Sequence, residues 1–515
     1  MKKRRNCFDC YLCALIQRNK MKLKSGIFQV LFFVLIVAIA SLNACKKKDV
    51  VSNDTSLKLS FSNDSVIFDT VFTTLGSATH RLMVYNTSDS RINISNITLG
   101  QGSNSVFRIN VDGESGSQFK NLEINGGDSL YIFLRVTIDP NNQNNPLIVE
   151  DNIHFLTNTN EQSVKLVAWG QDAHYILADT YTTGFPPYKI VADSLQTITW
   201  TSEKPYVIYG YAVINSYGKL IIEEGTHVYF HKDAGLWAYA DGILEAGGDK
   251  PDNLVVFQGD RLEEFYTDVP GQWDRIWLME GRSGENHVIK NTLIKNGFIG
   301  IQAESFLNLT QNKVVLENVT VQNMTGFGLF TRTFNIEAKN LVLANCGGYC
   351  LAVTGGGNYD FKHTTIANYW SGSIRNTPAL FLNNYFMDTL DQPIPIPLNF
   401  SMGNSIVYGY NEDEFLTDMD GGADSLYFFE YGIMKTNRNL SDETIFQNIL
   451  KNEDPLFLDY NINDYRIDSL SPAVDYGSQA IADQVPFDIL NNPRTESPDL
   501  GTYEFVPGQG GGERR

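Results

Sequence analysis

"NTLIKNG" (291–297), "NVTVQNM" (318–324), "NLVLANC" (340–346) and "HTTIANY" (363–369) are four versions of one phrase, and their starts lie 27, 22 and 23 residues apart. The fourth position is always aliphatic (Ile294, Val321, Leu343, Ile366) and the sixth is always asparagine (Asn296, Asn323, Asn345, Asn368). Asparagine also opens three of them, at Asn291, Asn318 and Asn340, and a glycine–aromatic pair follows at Gly297-Phe298, Gly326-Phe327 and Gly348-Tyr349. Short apolar alternations at such a period describe strands that repeat rather than helices, which would need runs of period 3.6. Stacked coils of three short strands would set each aliphatic over the next in the interior. Asparagine at a repeated turn can hydrogen-bond to backbone and to the asparagine of the next coil. Each coil buries its faces only against its neighbours. The expected fold is therefore all-β, with a parallel β-helix over 190–450.

The flanks of this region carry a resemblance. "KLIIEEGTHVYFHKDAGLWAYADGILEAGGDKPDNLVVFQGD" (219–260) resembles the entry of secreted bacterial proteins of the right-handed parallel β-helix repeat family, on Leu220–Phe230, Gly242–Gly247 and Val255–Phe257. The ending "DPLFLDYNINDYRIDSLSPAVDYG" with "NNPRTESPDLGTYEF" is similar to the carboxy-terminal ending of that family, on Asp454, Pro455, Phe457, Ser471–Asp475, Gly477, Asp488, Arg494, Pro498, Asp499, Gly501, Tyr503 and Glu504. The resemblance implies the right-handed, pectate-lyase-like solenoid. Residues 451–507 are expected to cap its open end, where bare strand edges and core would otherwise meet water. Arg494 is expected to pin that cap through Asp488 or Asp499. Residues 508–515 read as a flexible tail.

Residues 55–170 alternate apolar and polar in "RLMVYNTSDSRINISNITL", "SLYIFLRVTI" and "SVKLVAWG", separated by polar turns. Several half-buried strands over that length fit a β-sandwich. The order of pieces resembles immunoglobulin-like modules of the ASPM–SPD-2–Hydin type, which implies a spacer or binding module.

The amino terminus points to a membrane surface. Ile27–Ala40 is almost wholly apolar behind Lys22 and Lys24, too short to span a bilayer and suited to a signal peptide. "SLNAC" (41–45) resembles a bacterial lipobox, which implies diacylglycerol on the Cys45 thiol and a further acyl chain, such as palmitate, on its amine. Residues 1–45 then form an upstream extension plus signal, and 46–54 a tether. "CFDCYLC" (7–13) lies upstream of the signal. Met21 opens an ordinary one, so either the start is assigned early or a real extension is cleaved. Beyond Cys45 the chain has 32 basic and 58 acidic residues, net −26. Such a surface repels nucleic acid and anionic headgroups. The expected setting is the bacterial cell envelope, lipid-anchored at the outer membrane. Expected partners are the bilayer and a polysaccharide or another envelope protein. Cys346 and Cys350 are left as free thiols or a pair.

For chemistry, the resemblance offers lyases and glycosidases of uronate polymers. Hydrolysis needs two carboxylates across the scissile bond. A lyase needs a base, plus a cation or calcium to neutralise the substrate. The candidate catalytic residues are Asp274, Glu280 and His287, among Arg275, Arg282 and Glu285. Trp237, Tyr239, Trp273 and Trp277 are the candidate sugar-contacting rings. His227 and His231 flank Tyr229 without a third metal ligand. "DMDGGAD" (418–424) lacks the register of a calcium loop. No cofactor is implied beyond that calcium option. The two expectations are a noncatalytic binding or scaffold protein, and a polysaccharide lyase or hydrolase.

Cys45→Ala should abolish incorporation of labelled palmitate and release the protein from the membrane fraction. Labelling that survives the substitution would refute lipidation at this thiol.

Overall fold

A chain that leaves one strand and enters the next within a single residue must bend sharply, and in this chain asparagine makes most of those bends. The computed structural model describes residues 50–72, 77, 79–138, 147–305 and 312–508. The expected signal segment, the expected lipidation site at Cys45, the start of the expected tether and all but the first residue of the expected tail lie outside them. Asn291, Asn318, Asn340, His363, Asn404, Tyr431 and Asn448 all sit at φ between 43° and 56°. That left-handed region costs an ordinary residue about 1–2 kcal/mol, and asparagine tolerates it best because its short amide bonds locally. Here the amides bond from coil to coil. Asn318 Nδ2 donates to Asn291 Oδ1 at 2.9 Å, and Asn340 Nδ2 to Asn318 Oδ1 at 2.9 Å. The second asparagine column repeats the backbone bend at Asn296, Asn323 and Asn345, with φ of 68°, 59° and 50°. Only Asn345 of these bonds to the amide one coil back, at Asn323 Oδ1, while Asn323 donates to Asp268 and Asn296 to the Thr267 carbonyl. Asn368 departs from it: its amide grips the Cys346 backbone N–H and C=O, at 3.1 and 3.0 Å.

Between the corners run short parallel strands. They form one 21-stranded sheet in which each of the first nine strands also pairs with the third strand after it. Thr197–Trp200 pairs with Lys219–Ile222, and Tyr211–Ile214 with Gly235–Ala238. Three strands therefore make a turn, and the sheet closes into a parallel β-helix. Ile294, Val321, Leu343, Ile366 and Val407 are register partners and buried, which makes the repeated aliphatic the inner column. Cys346 and Cys350 are unbridged thiols in the same core.

The described chain splits into two compact units, one mainly of 78–136 and 150–167 and the other mainly of 168 onward. The first is a β-sandwich of two five-stranded sheets. Alternate residues of its strands are buried, as in Phe107–Val111 and Ser129–Val136, so each sheet keeps one dry face.

The carboxy-terminal segment differs from expectation. After Phe446–Lys451, the last strand of the coil, the chain runs back along the outside of one side of the coil. Phe457, Tyr465, Ile467, Ala473 and Leu500 pack on the outward residues Val342, Ala344, Ala367, Ile406 and Ile433. Thr502 Oγ1 donates to the carbonyls of Leu341 and His363 at 3.1 and 3.2 Å. Arg494 pairs with Glu504 and donates to Asn340 Oδ1 at 2.8 Å. Asp488 and Asp499, its expected partners, accept backbone N–H groups instead: Asn492 and Glu504 for the first, Asp475 and Phe505 for the second. The closing motif is a set of internal fasteners that docks on the asparagine corner.

Two imidazoles are sealed inside. His287 is buried; its Nδ1 accepts the Leu244 N–H at 3.1 Å and its Nε2–H donates to the Met279 carbonyl at 2.8 Å. That bonding fixes the neutral tautomer. Burial holds its pKa down to about 4. His363, also buried, lies against the Gly501 carbonyl and Asn404, and burial, then Arg494, depress it too.

Asn340→Ala should lower the unfolding free energy by about 2–4 kcal/mol, through backbone strain and hydrogen bonds lost at Asn318, Phe487 and Arg494. Asn340→Gly, free of the strain, should lose about 1 kcal/mol less; equal losses in urea unfolding would refute the corner account. The buried histidines also set a pH dependence. The unfolded chain takes the His287 proton near pH 6.5, whereas the folded chain resists it to about 4. Stability from this group is complete above the unfolded value and falls as the pH drops below it, by about 3 kcal/mol in all. In His287→Gln the slope of stability between about pH 6 and 4.5 should shrink by about 1.4 kcal/mol per pH unit. An unchanged slope would remove His287 from the account.

Candidate functional site

One side of the coil gathers most of the chemistry that the sequence singles out. It is built by Tyr211–Ile214, Gly235–Ala238, Trp273–Leu278, Gly297–Glu304, the first residues of Phe327–Cys346 and of Leu351–Asn368, Leu380–Asn383 and Phe415–Asp418. Parallel register puts every outward side chain over the outward side chain of the coil before. One outward column therefore reads Val213, Trp237, Trp277, Gln302, Phe330, Ala352, Phe381 and Leu416.

The register brings Trp237 and Trp277 together, with ring centroids 4.7 Å apart and planes 9° from parallel. Tyr239, 41% exposed, meets Trp237 edge-on at 5.4 Å. Trp237 itself is only 5% exposed, because Phe185 lies over it at 6.0 Å and 18°. The rings stack along the coil, so their faces are spent largely on each other. Trp273 is not part of this group. It is 2% exposed, stacks on Phe230 inside the core at 4.4 Å, and donates its indole N–H to the Lys295 carbonyl at 2.8 Å. The register slips between Arg275 and Ile276, which breaks the alternation. Residues 273 and 277 therefore point to opposite faces.

Farther along the same side, polar groups join coil to coil. Tyr211 Oη donates to Asp274, and Arg275 holds the same carboxylate through Nε and Nη2 at 3.0 and 2.9 Å. Burial and Asp274 push the Tyr211 phenol well up. Arg275 Nη1 donates to Gln302, Gln302 Nε2 to Glu304 Oε1 at 2.8 Å, and Arg332 Nη2 pairs with Glu304 Oε2 at 2.8 Å. Neither Gln302 nor Glu304 stands out in the sequence. Gln302 is located by its register with Trp277 and Glu304 by its register with Arg332. Farther still come Phe298, over which Arg275 lies at 5.5 Å, and the rings of Phe327, Tyr349 and Phe381, in contact at 5.7 and 5.4 Å.

The three candidate catalytic residues do not meet as a set. Asp274 is neutralised by Arg275. His287 is closed inside the coil with both nitrogens engaged. Glu280 sits at the end of the Trp273–Leu278 strand, and its Oε2 is buried with no partner among the described residues. Arg282 and Glu285 pair with each other at 2.6 Å.

Elsewhere, His231 Nδ1 lies 2.7 Å from Asp260 and its ring stacks on Tyr209 at 4.2 Å, whereas His227 stacks on Tyr229. Among the described residues no group of three or more His, Cys, Asp or Glu could hold a metal ion. In "DMDGGAD", Asp420 is engaged by the Asn384 side chain and by the Gly422 N–H, and Asp418 by Tyr385.

No protein-family model matches this chain, and no curated protein sequence matches it either. Among solved structures, a family 123 glycoside hydrolase from Clostridium perfringens, described for glycolipid glycan hydrolysis, is similar at TM-score 0.17 and 11% identity. That likeness covers 22% of this chain and 27% of the hydrolase. A protein of unknown function from Porphyromonas gingivalis W83 is similar at TM-score 0.17 and 14% identity, over 26% of this chain and 57% of that one. A PapD-like domain of human CEP192 is similar at TM-score 0.16 and 12% identity, over 25% of this chain and 94% of the domain. Likenesses this slight carry no function across.

Proposed function

We propose that this chain is a lipid-anchored envelope protein that binds without catalysing, and that its ligand is a surface glycan held along the outward strip of the coil. One observation carries the reading. The strip offers aromatic edges and amide and guanidinium groups over successive coils, while Asp274, Glu304 and Glu285 are each tied to an arginine. A carboxylate held in such a pair is poorly placed to take or give a proton. Sugar rings match a surface that alternates apolar edges with hydrogen-bonding groups. The net charge of −26 beyond Cys45 favours neutral over anionic glycans.

A second reading, a polysaccharide lyase or glycoside hydrolase, has one observation in its favour: the unpartnered Glu280 carboxylate oxygen on the same side of the coil. A partly buried carboxyl with one oxygen left unpaired is a group that a substrate atom could engage. Hydrolysis would require a second, opposed carboxylate beside it.

The test is a glycan array run beside a depolymerisation assay on the purified protein, with and without calcium. Retention of glycans with no product release is the expected result. Release of unsaturated or reducing-end products, lost in Glu280→Gln, would replace the binding reading with the enzymatic one.

A further inference from the structure

We infer that the stacked indoles of Trp237 and Trp277 are a donor site for a neutral glycan, and that Phe185 occupies the place a sugar ring takes. This rests on the glycan reading above and goes further by assigning the site, its polarity and its cover. Trp237 Nε1 and Trp277 Nε1 are both buried, and neither finds an acceptor among the described residues. Other indoles of this chain are satisfied: Trp273 donates to the Lys295 carbonyl at 2.8 Å and Trp370 to Ser373 Oγ at 3.0 Å. A buried donor without an acceptor is costly, and native proteins keep few of them. Two in one stacked pair, on the face that carries the exposed Tyr239, mark a place where acceptors come from outside.

The cover has the properties of something displaceable. Phe185 is 53% exposed although its ring lies on an indole, and it sits at 6.0 Å where the two indoles sit at 4.7 Å. It belongs to the irregular connection between His174–Leu177 and Tyr188–Ala192, which also exposes Tyr181 and turns at Gly184 with φ 88°. The Thr180–Tyr188 bridge ties the base of this connection and leaves its tip on the indole. An apolar ring lying flat on Trp237 fills the position that the CH face of a pyranose would fill. The indole N–H groups lie in the ring planes, so their acceptors would be hydroxyls of neighbouring units of the same oligosaccharide, set along the indole edges beside the stacked unit. The ligand is neutral because, among the described residues, this face offers an anion no free counter-charge: Arg275 is paired with Asp274 and Arg332 with Glu304, and Glu280, with an unpartnered Oε2, is itself an acid.

The experiment titrates the wild-type protein, Phe185→Ala, Trp237→Phe and Trp277→Phe with a panel of neutral gluco-, manno- and galacto-oligosaccharides and one uronate oligosaccharide. Calorimetry and tryptophan fluorescence are the readouts. Phenylalanine keeps a stacked six-membered ring and deletes the donor together with part of the indole's stacking area. Because Trp277 is less buried than Trp237, its variant guards against a folding defect, which thermal melts would report. Phe185→Ala should tighten binding of a neutral oligosaccharide several-fold, and each Trp→Phe variant should weaken it by roughly tenfold. Neutral glycan bound equally by wild type and Trp→Phe variants would overturn the donor site and leave the glycan reading standing. Binding of the uronate alone would do the same. No binding by wild type or Phe185→Ala would overturn both.

Discussion

The single-residue left-handed corner is the constraint on which the solenoid depends. It lets two sides of a coil meet at an angle without a loop, so the coil stays short and every register is inherited from the coil below. The angle is paid for locally, by amides that bond to the amide one coil away. Where the corner residue is not asparagine, something else must hold it. His363 stands at φ 51° and is held by the Gly501 carbonyl of the returning carboxy-terminal segment and by Asn404. The same segment places Arg494 on Asn340. Its docking site is thus the run of corners where the ladder changes composition. Its fastening motif makes sense as a clamp on the flank of the coil.

That difference separates what was legible in the residues from what was not. The inner aliphatic column and both asparagine columns could be read directly, because a solenoid forces equivalent positions to solve the same problem. The position of the carboxy-terminal segment could not be read from its own motif. Asp488, Asp499 and Glu504 mostly bond within the segment and say nothing of what lies beneath it. The missing signal lay in the coil: Val342, Ala344, Ala367, Ile406 and Ile433 are apolar in the outward phase, where water would otherwise wet them. Trp273 departs from the other candidate rings for a related reason. Alternation predicts that residues four apart share a face, and a slip of register between Arg275 and Ile276 cancels that rule within one strand.

The polar ladder from Tyr211 to Arg332 shows what stacking does to charge. Glu304 is buried and stays acceptable only because Arg332 and Gln302 satisfy it. Removing either partner would leave an uncompensated carboxylate in a dry setting, which is far costlier than never having placed one there. The ladder therefore fixes geometry. It holds the outward column straight across four coils, so that the rings on either side of it keep their spacing.

A binding surface and an active site make opposite demands on such a column. Catalysis by acid and base needs groups whose protonation can change during the reaction, which means charges left partly unmet. Recognition of a neutral polymer needs fixed donors and apolar edges, repeated at the period of the scaffold, with charges neutralised so that no ion has to be stripped of its partner. Asp274, Arg275, Glu304 and Arg332 meet the second demand. Glu280 alone, with one buried oxygen lacking a partner, leans toward the first. A displacement at a glycosidic carbon would need a second carboxylate opposite Glu280, whereas an elimination would need only a base beside a neutralised substrate. Beside the Glu280 oxygen, the described residues of this face leave a pair of indole donors unsatisfied, and the glycan proposed above would meet them with its oxygens.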